Sequence, residues 1–167
     1  IRSNRPKYAR SVWKRSDPEE VAENLLNRDF NAEKPNEKWC TDITEFKVPD
    51  TNEKIYISTI LDLHDRYPVG IDISRRNDTL LVNRTLELAL EANPGARPLL
   101  HSDRGFQYTR SVFRKKLEDL GMTQSMSRVS RCIDNGPMEG FQGIFKDLVT
   151  VLYPDARSRE ELEAAIY

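Results

Sequence analysis

The chain has 167 residues, of which 38% are hydrophobic and 32% charged, and its formal net charge is −1. That suits one domain with a real core, while 7 glycines and 9 prolines are too few for a collagen-like or low-complexity chain. No apolar run is long enough to span a membrane, the N-terminus Ile1-Arg2-Ser3-Asn4-Arg5-Pro6-Lys7 has no apolar signal stretch, and the lone cysteines Cys40 and Cys132 form neither a disulfide framework nor a Cys-rich zinc site. Residues 1–16 read as an extended or flexible basic arm. Ser16-Asp17-Pro18-Glu19-Glu20 then has the marks of a helix start, with Pro and acids in the first turn, and predicts a short helix to about Asn27. Residues 28–37 are polar and loop-like. Trp39–Val48 is rich in β-formers, Pro49-Asp50-Thr51-Asn52 supplies a turn, Lys54–Asp62 is a second strand and Tyr67–Ser74 a third. Short connections make these an antiparallel meander.

The period then changes. Thr79–Ala92 predicts a helix closed by Asn93-Pro94-Gly95, and Arg97–Ser102 a short apolar strand. Thr109–Leu120 predicts a helix buried through Val112, Phe113, Leu117 and Leu120, with Gly121 at its end. Thr123–Met126 is a fifth strand. Asn135-Gly136-Pro137 opens a long helix to Leu152, with Asn135 as its cap and Met138, Phe141, Phe145, Leu148 and Leu152 as its buried stripe. Arg157–Tyr167 begins another helix. The order βββ-α-β-α-β-α-α defines a mixed α/β domain. Its organisation reads as an arm, short helix and linker over 1–34 and a core over 35–167.

Charge is segregated along the chain. Residues 1–16 carry a block of +6, residues 17–65 a net −8, residues 104–132 a net +5 and residues 133–167 a net −4. Basic segments could hold a polyanion while acidic ones hold a cation; the alternative is solvated surface charge. Three acids stand out. Asp42 lies inside the strand Trp39-Cys40-Thr41-Asp42-Ile43-Thr44, where an ionised carboxylate is disfavoured unless a cation accompanies it. Asp103 follows directly on the apolar strand Leu99-Leu100-His101-Ser102, and ligands of open α/β sheets collect at strand C-terminal ends. Glu139 stands in the first turn of the long helix, in line with Gln142, Gly143 and Lys146. Gly143 costs about 1 kcal/mol of helix propensity, which makes sense where a backbone approaches closely. Converging carboxylates repel unless a divalent ion intervenes, and Mg²⁺ prefers hard oxygen ligands and leaves room for phosphate oxygens. A pair of such ions suits phosphodiester cleavage or transfer. The competing reading is three ordinary surface acids among 27.

Asp103 and Glu139 have 35 residues between them. Around the three acids stand Pro35-Asn36-Glu37-Lys38-Trp39-Cys40-Thr41-Asp42-Ile43-Thr44-Glu45-Phe46, His101-Ser102-Asp103-Arg104-Gly105-Phe106-Gln107-Tyr108, Ser125-Met126-Ser127-Arg128 and Asp134-Asn135-Gly136-Pro137-Met138-Glu139-Gly140-Phe141. In this order and spacing they resemble the DDE transposases of bacterial insertion sequences, in the branch closest to retroviral integrases, over about residues 24–167. The resemblance implies a ribonuclease H-like fold, a five-stranded mixed sheet (three antiparallel strands first) flanked by helices. It implies Asp42, Asp103 and Glu139 as a catalytic, metal-binding triad using two Mg²⁺ (or Mn²⁺) ions. It also implies cleavage at transposon ends, then strand transfer by the freed 3′-hydroxyl with no covalent protein intermediate and no ATP.

Lys146 matches a position where related integrases touch viral-end DNA. Arg104, Arg128 and Arg131 flank the site, and with Gln142 are expected DNA contacts. His101 and Asn135 are expected to orient the site, with a structural, hydrogen-bonded role as the alternative for His101. The partners implied are transposon-end and target DNA and further copies of the chain, with no membrane, in a bacterial cytoplasm. The segment before Glu139 departs from relatives: Val129-Ser130-Arg131 replaces a Gly-containing polar turn, Ile133 an aromatic residue and Gly140 a Ser. None of these removes a metal ligand. Relatives extend beyond both ends, so the chain is expected to be an excised catalytic core, truncated at its C-terminus. Two other readings remain open: a non-catalytic DNA-binding or assembly module, and a general ribonuclease H-like nuclease.

Overall fold

A computed structural model describes residues 21–128 and 132–166. The basic arm at 1–16, the start of the helix expected from Ser16, and Arg131 lie outside the described residues. Five strands, β1 (Lys38–Lys47), β2 (Lys54–Asp62), β3 (Pro68–Ser74), β4 (Leu99–Ser102) and β5 (Thr123–Met126), form one sheet in the order β3-β2-β1-β4-β5. β1, β2 and β3 pair antiparallel, while β4 joins β1 and β5 joins β4 in parallel. The β1–β2 hairpin turns through Asp50 in the left-handed region (φ 59°) and closes with a Val48 N–H···O Glu53 bond of 3.0 Å. Helices α1 (Thr79–Ala92), α2 (Ser111–Asp119), α3 (Gly136–Leu152) and α4 (Arg159–Ile166) complete the fold, with a short 3₁₀ turn, Cys132–Asn135, leading into α3. Among the described residues no helix is long and apolar enough to cross a membrane.

Alternation along β1 sends its side chains to opposite faces. Trp39 enters the main apolar cluster with Ile60, Val82, Leu86, Leu100, Phe113 and Leu117, so α1 and α2 cover that face. Asp78 caps α1 by accepting the Leu81 N–H at 3.1 Å. Gly70 lets α1 lie against β3: a Cβ there would stand 2.7 Å from the Thr85 carbonyl oxygen and 2.9 Å from Ala89 Cβ. On the opposite face Cys40 packs with Leu26, Leu61, Leu63 and Met138, the last from the first turn of α3. Farther along, Val48 and Ile55 meet Val149 of α3 and Leu162 of α4.

The strands and α1 lie where periodicity places them; four other expectations need correction. Residues 21–27 are not helical. Their polar backbone is used by β5 instead: the Met126 N–H donates to the Glu23 carbonyl, and the Leu25 and Leu26 N–H groups donate to Ser125 Oγ. In α2 only Phe113 and Leu117 of the expected stripe are buried, while Val112 and Leu120 face outward. In α3 Met138 is buried and Phe141 and Phe145 half-buried, but Leu148 and Leu152 are exposed and Val149 takes the inward position. The helix is held near its two ends, so a stripe drawn along its full length overstates burial. Gly143 serves no close approach within the chain either: a Cβ there would meet open space.

Candidate active site

The parallel pairing of β1 and β4 brings two of the three acids level. Cys40 lies opposite His101, so two positions farther along each chain stand Asp42 and Asp103. Asp42 shares a face with Cys40 and Phe46, the face that α3 covers. α3 runs along β1 in the same direction. Met138 packs beside Cys40, the Gln142 amide lies beside Asp42, and Phe145 meets Phe46 edge-on at 6.1 Å. Glu139, the residue after Met138, therefore lies on this face in the first turn of α3, near enough to Asp42 to act on its carboxyl.

Electrostatics record the convergence. Burial, reinforced by the negative charges of Asp103 and Glu139, pushes the Asp42 carboxyl up to about 6. The Ile43 N–H, which donates to Asp42 Oδ1 at 2.8 Å, and the Gln142 amide act in the opposite direction. Gln142 Nε2 is buried yet closes no hydrogen bond of ordinary geometry, so its approach to Asp42 is near rather than bonded. Asp103 Oδ1 accepts the Gly105 N–H at 2.8 Å, which fixes the carboxylate at the start of its loop. Among the described residues, no group of three or more His, Cys, Asp or Glu side chains is drawn tightly enough to hold a metal ion as it stands. The donor set suits a hard divalent cation: three carboxylates, one of them partly buried and held against its own charge.

The other expected residues divide by environment. His101 is fully buried, with Nδ1 2.8 Å from Ser125 Oγ and Nε2 3.1 Å from Ser127 Oγ. Ser125 Oγ already accepts the Leu25 and Leu26 N–H groups, so its one hydroxyl proton goes to Nδ1 and the imidazole proton sits on Nε2. Burial holds the imidazole down to about 4, hence neutral near pH 7. His101 therefore ties β4 to β5 and has no exposed edge for a phosphate. Asn135 is buried and makes no side-chain cap to α3; its Nδ2 reaches the Thr41 carbonyl at 3.5 Å, and its Oδ1 has no partner among the described residues. Lys146 is exposed, with Nζ 5.8 Å from the centre of the Phe46 ring. Arg104 donates from Nε to the Ser127 carbonyl at 2.7 Å. Arg128 grips Asp134 through Nε at 2.8 Å and Nη2 at 3.0 Å, with its side chain 48% exposed. Tyr108 is core, its hydroxyl 3.3 Å from Thr41 Oγ1.

Two contributors carried no assigned role in the sequence reading. Gly105 is one: a Cβ there would stand 3.0 Å from Asp103 Oδ1 and 2.8 Å from Gln107 Oε1. Asp134 is the other, a buried acid held by Arg128 and by two partners remote in the chain, Asn24 and Arg28. An acid directly before a helix-opening Asn-Gly-Pro was the only local signal for it.

With this geometry in hand, comparison with known proteins defines the class. Solved structures with a similar fold include the HTLV-2 integrase catalytic core domain in complex with magnesium, at TM-score 0.60 and 17% identity, covering 79% of this chain and 84% of that one. A simian T-cell lymphotropic virus intasome in complex with PP2A regulatory subunit B56 gamma matches at TM-score 0.61 and 19% identity, over 90% of this chain and 51% of that one. The fold is thus that of the integrase catalytic core, the ribonuclease H-like fold. The model of the integrase core domain family matches residues 32–132. A transposase-like protein of Haemophilus influenzae is 41% identical over 149 residues, 88% of this chain and 67% of its own length. The putative transposase InsK of insertion sequence element IS150 in Escherichia coli is 41% identical over 128 residues, covering 76% of this chain. The chain spans 44% of that relative's length. This chain belongs to the integrase core domain family, in the branch of the insertion-sequence transposases.

Proposed function

We propose that the chain is the catalytic core of a bacterial insertion-sequence transposase that cleaves phosphodiester bonds at transposon ends and joins the freed 3′-hydroxyl to target DNA. The observation that carries this reading is a juxtaposition: the β1–β4 register sets Asp42 and Asp103 level on the face that α3 covers, and Glu139 lies in the first turn of α3 beside them, with Asp42 held in a partly buried position. When bound, a pair of Mg²⁺ or Mn²⁺ ions would supply Lewis-acid activation of the attacking oxygen and neutralise charge on the leaving one. Asp42 and Asp103 offer their carboxylates from the rigid sheet, and Glu139 offers its own from α3. In the first step water adds to phosphorus, the 3′-oxygen leaves with a proton, and the 5′-phosphate stays on the flanking strand. In the second, that 3′-hydroxyl is the nucleophile and a target-strand 3′-oxygen departs. The bond count is conserved and no ATP enters.

DNA would lie across the open side of this face. Lys146, Gln142, Arg104, Arg128 and Arg131 are its proposed contacts, with positioning by phosphate contacts rather than base readout. Two transposon ends must be handled together, which calls for more than one copy of the chain. The test is strand cleavage and joining by the full-length protein on end DNA with Mg²⁺. Asp42→Asn and Glu139→Gln are each expected to lower both steps by about 100-fold or more, the scale on which loss of one preorganised charge-stabilising group is felt. End-DNA binding is expected to persist. Undiminished joining by both variants would reject the proposal.

A further inference from the structure

α3 carries Glu139 but is thinly held. Of its 17 residues only Met138 and Val149 are buried, and its N-terminal residue Asn135 supplies no side-chain cap. Beside the contacts of Met138, Phe141 and Phe145, the position of Glu139 depends on what fixes the turn just before the helix. That turn contains Asp134, which is 1% exposed.

The Asp134 carboxylate is surrounded by donors from two other parts of the chain. Arg28 Nε donates to Oδ1 at 2.7 Å and Asn24 Nδ2 to Oδ2 at 3.1 Å. Arg128 adds three bonds: Nε to Oδ2 at 2.8 Å, Nη2 to Oδ1 at 3.0 Å and its backbone N–H to Oδ2 at 3.2 Å. Bidentate and charge-assisted bonds of this kind fix direction as well as distance. The segment that supplies Asn24 and Arg28 is itself fastened to the edge of the sheet. The Glu23 carbonyl takes the Met126 N–H at 3.1 Å, and the Leu25 and Leu26 N–H groups share Ser125 Oγ, which is locked by His101. Leu26 also packs in one cluster with Met138, the residue before Glu139. One short segment thus reaches the start of α3 twice, through a carboxylate and through an apolar contact.

We infer that Asp134 is a positioning residue: by gathering Asn24, Arg28 and Arg128 onto one buried carboxylate, it makes residues 22–28 the anchor that sets where Glu139 stands beside Asp42 and Asp103. The inference rests on the proposed role of Glu139 as a metal ligand. It assigns a catalytic consequence to a stretch at the far end of the sequence that touches none of the three acids.

The experiment uses the full-length protein and two readouts. Hydrogen exchange follows the amides of residues 140–143, the first to be bonded within α3, and water-proton relaxation follows Mn²⁺ binding. In Asp134→Asn, exchange at 140–143 is expected to quicken about 10-fold with the amides of α1 unchanged, an opening confined to one unit. The Mn²⁺ concentration for half-saturation is expected to rise about 10-fold, the lower end of the loss typical of residues that support metal ligands. End-DNA affinity should stay within about twofold, a small change on the logarithmic scale of affinity. Arg28→Gln, which removes one donor and leaves Arg128 in place, should shift both readouts the same way by less, and it replaces Asp134→Asn if that variant does not fold. Wild-type exchange and wild-type Mn²⁺ binding, or exchange quickened equally throughout the chain, would overturn the inference. If Glu139→Gln leaves Mn²⁺ binding untouched, the ligand reading of Glu139 falls by itself, while exchange at 140–143 still decides whether Asp134 anchors the helix.

Discussion

On one face of the sheet α1 and α2 press Leu86, Ala89, Phe113 and Leu117 into a continuous apolar layer with Trp39, Ile60 and Leu100; on the other, α3 touches down at Met138 and Val149 and leaves Ile144, Leu148 and Val151 exposed. The first face buries apolar area and supplies most of the stability. The second gathers charge. Asp42 stands there at a cost, and Asp134 is buried there only because two arginines and an asparagine hold it. Folding and chemistry are divided between the two sides of one sheet, and β1 serves both because alternate residues point opposite ways. Trp39 faces the core while Asp42, three residues on, faces α3.

Truncations on the two faces should differ most. Leu86 is fully buried, and Leu86→Ala is expected to cost about 3 kcal/mol through lost burial and the cavity left behind. Leu148 is 51% exposed, and Leu148→Ala is expected to change stability by less than about 0.5 kcal/mol. Urea unfolding of the two variants measures the contrast. Equal losses would mean that α3 is packed as tightly as α1.

The next effect has the opposite sign. Asp42 has its folded carboxyl raised to about 6 from an ordinary 3.8. Between these values the folded chain binds the proton more tightly than the unfolded one, so stability falls as pH rises through that window and stays low above it. Asp42→Asn removes the loss and is expected to stabilise the metal-free chain at pH 7 by about 2 kcal/mol while abolishing strand transfer. Asp134 behaves conversely: hydrogen bonds from Arg128, then Arg28, hold its carboxyl well below the ordinary value. Its contribution is present above pH 3.8 and is lost as pH falls below that. Unfolding midpoints from pH 3 to 7 should therefore lose the limb between pH 4 and 6 in Asp42→Asn and the acid limb in Asp134→Asn.

The same division explains what the sequence made legible. The strands and α1 follow from local signals, such as the run of β-formers in β1 and the Asn93-Pro94-Gly95 stop, whereas the mixed five-stranded sheet follows from the resemblance. Asp42 stood out because an acid inside a strand breaks a local rule, and Asp103 because it ends an apolar strand, where ligands of open α/β sheets collect. Residues 21–27 misled because propensity describes an isolated segment, whereas here the groups at Glu23, Leu25 and Leu26 are taken by β5. Asp134 was opaque for a related reason. Its partners Asn24 and Arg28 lie more than 100 residues away, and no spacing within a helix or strand encodes such a pairing. α3 misled because an apolar stripe states which side of a helix can be buried, not how far the sheet extends beneath it.

A smaller effect concerns the loop that holds Asp103. Gly105→Ala would place its Cβ 3.0 Å from Asp103 Oδ1, and the carboxylate or the loop must yield by a few tenths of an ångström. Cleavage and joining are expected to fall about 10-fold, since misplacement of a reacting group on an ångström scale can cost up to about 100-fold. Stability should change little, and Mn²⁺ binding should weaken in parallel. Normal activity would show that the Asp103 loop adapts at no cost.

The smallest expected effect is at Lys146. Its ammonium lies 5.8 Å from the Phe46 ring centre on an exposed part of α3, a contact worth about 0.5–1 kcal/mol at such sites. Lys146→Ala should therefore barely shift unfolding. If Lys146 contacts a DNA phosphate, the variant should weaken end-DNA binding and reduce the slope of log affinity against log salt by about one, because one fewer counterion is released. Lys146→Gln should behave the same way, since it keeps the length of the side chain and loses only the charge. An unchanged salt slope in both variants would return Lys146 to the role of a surface cation resting on Phe46, and would move the path of the DNA toward the arginines at the ends of β4 and β5.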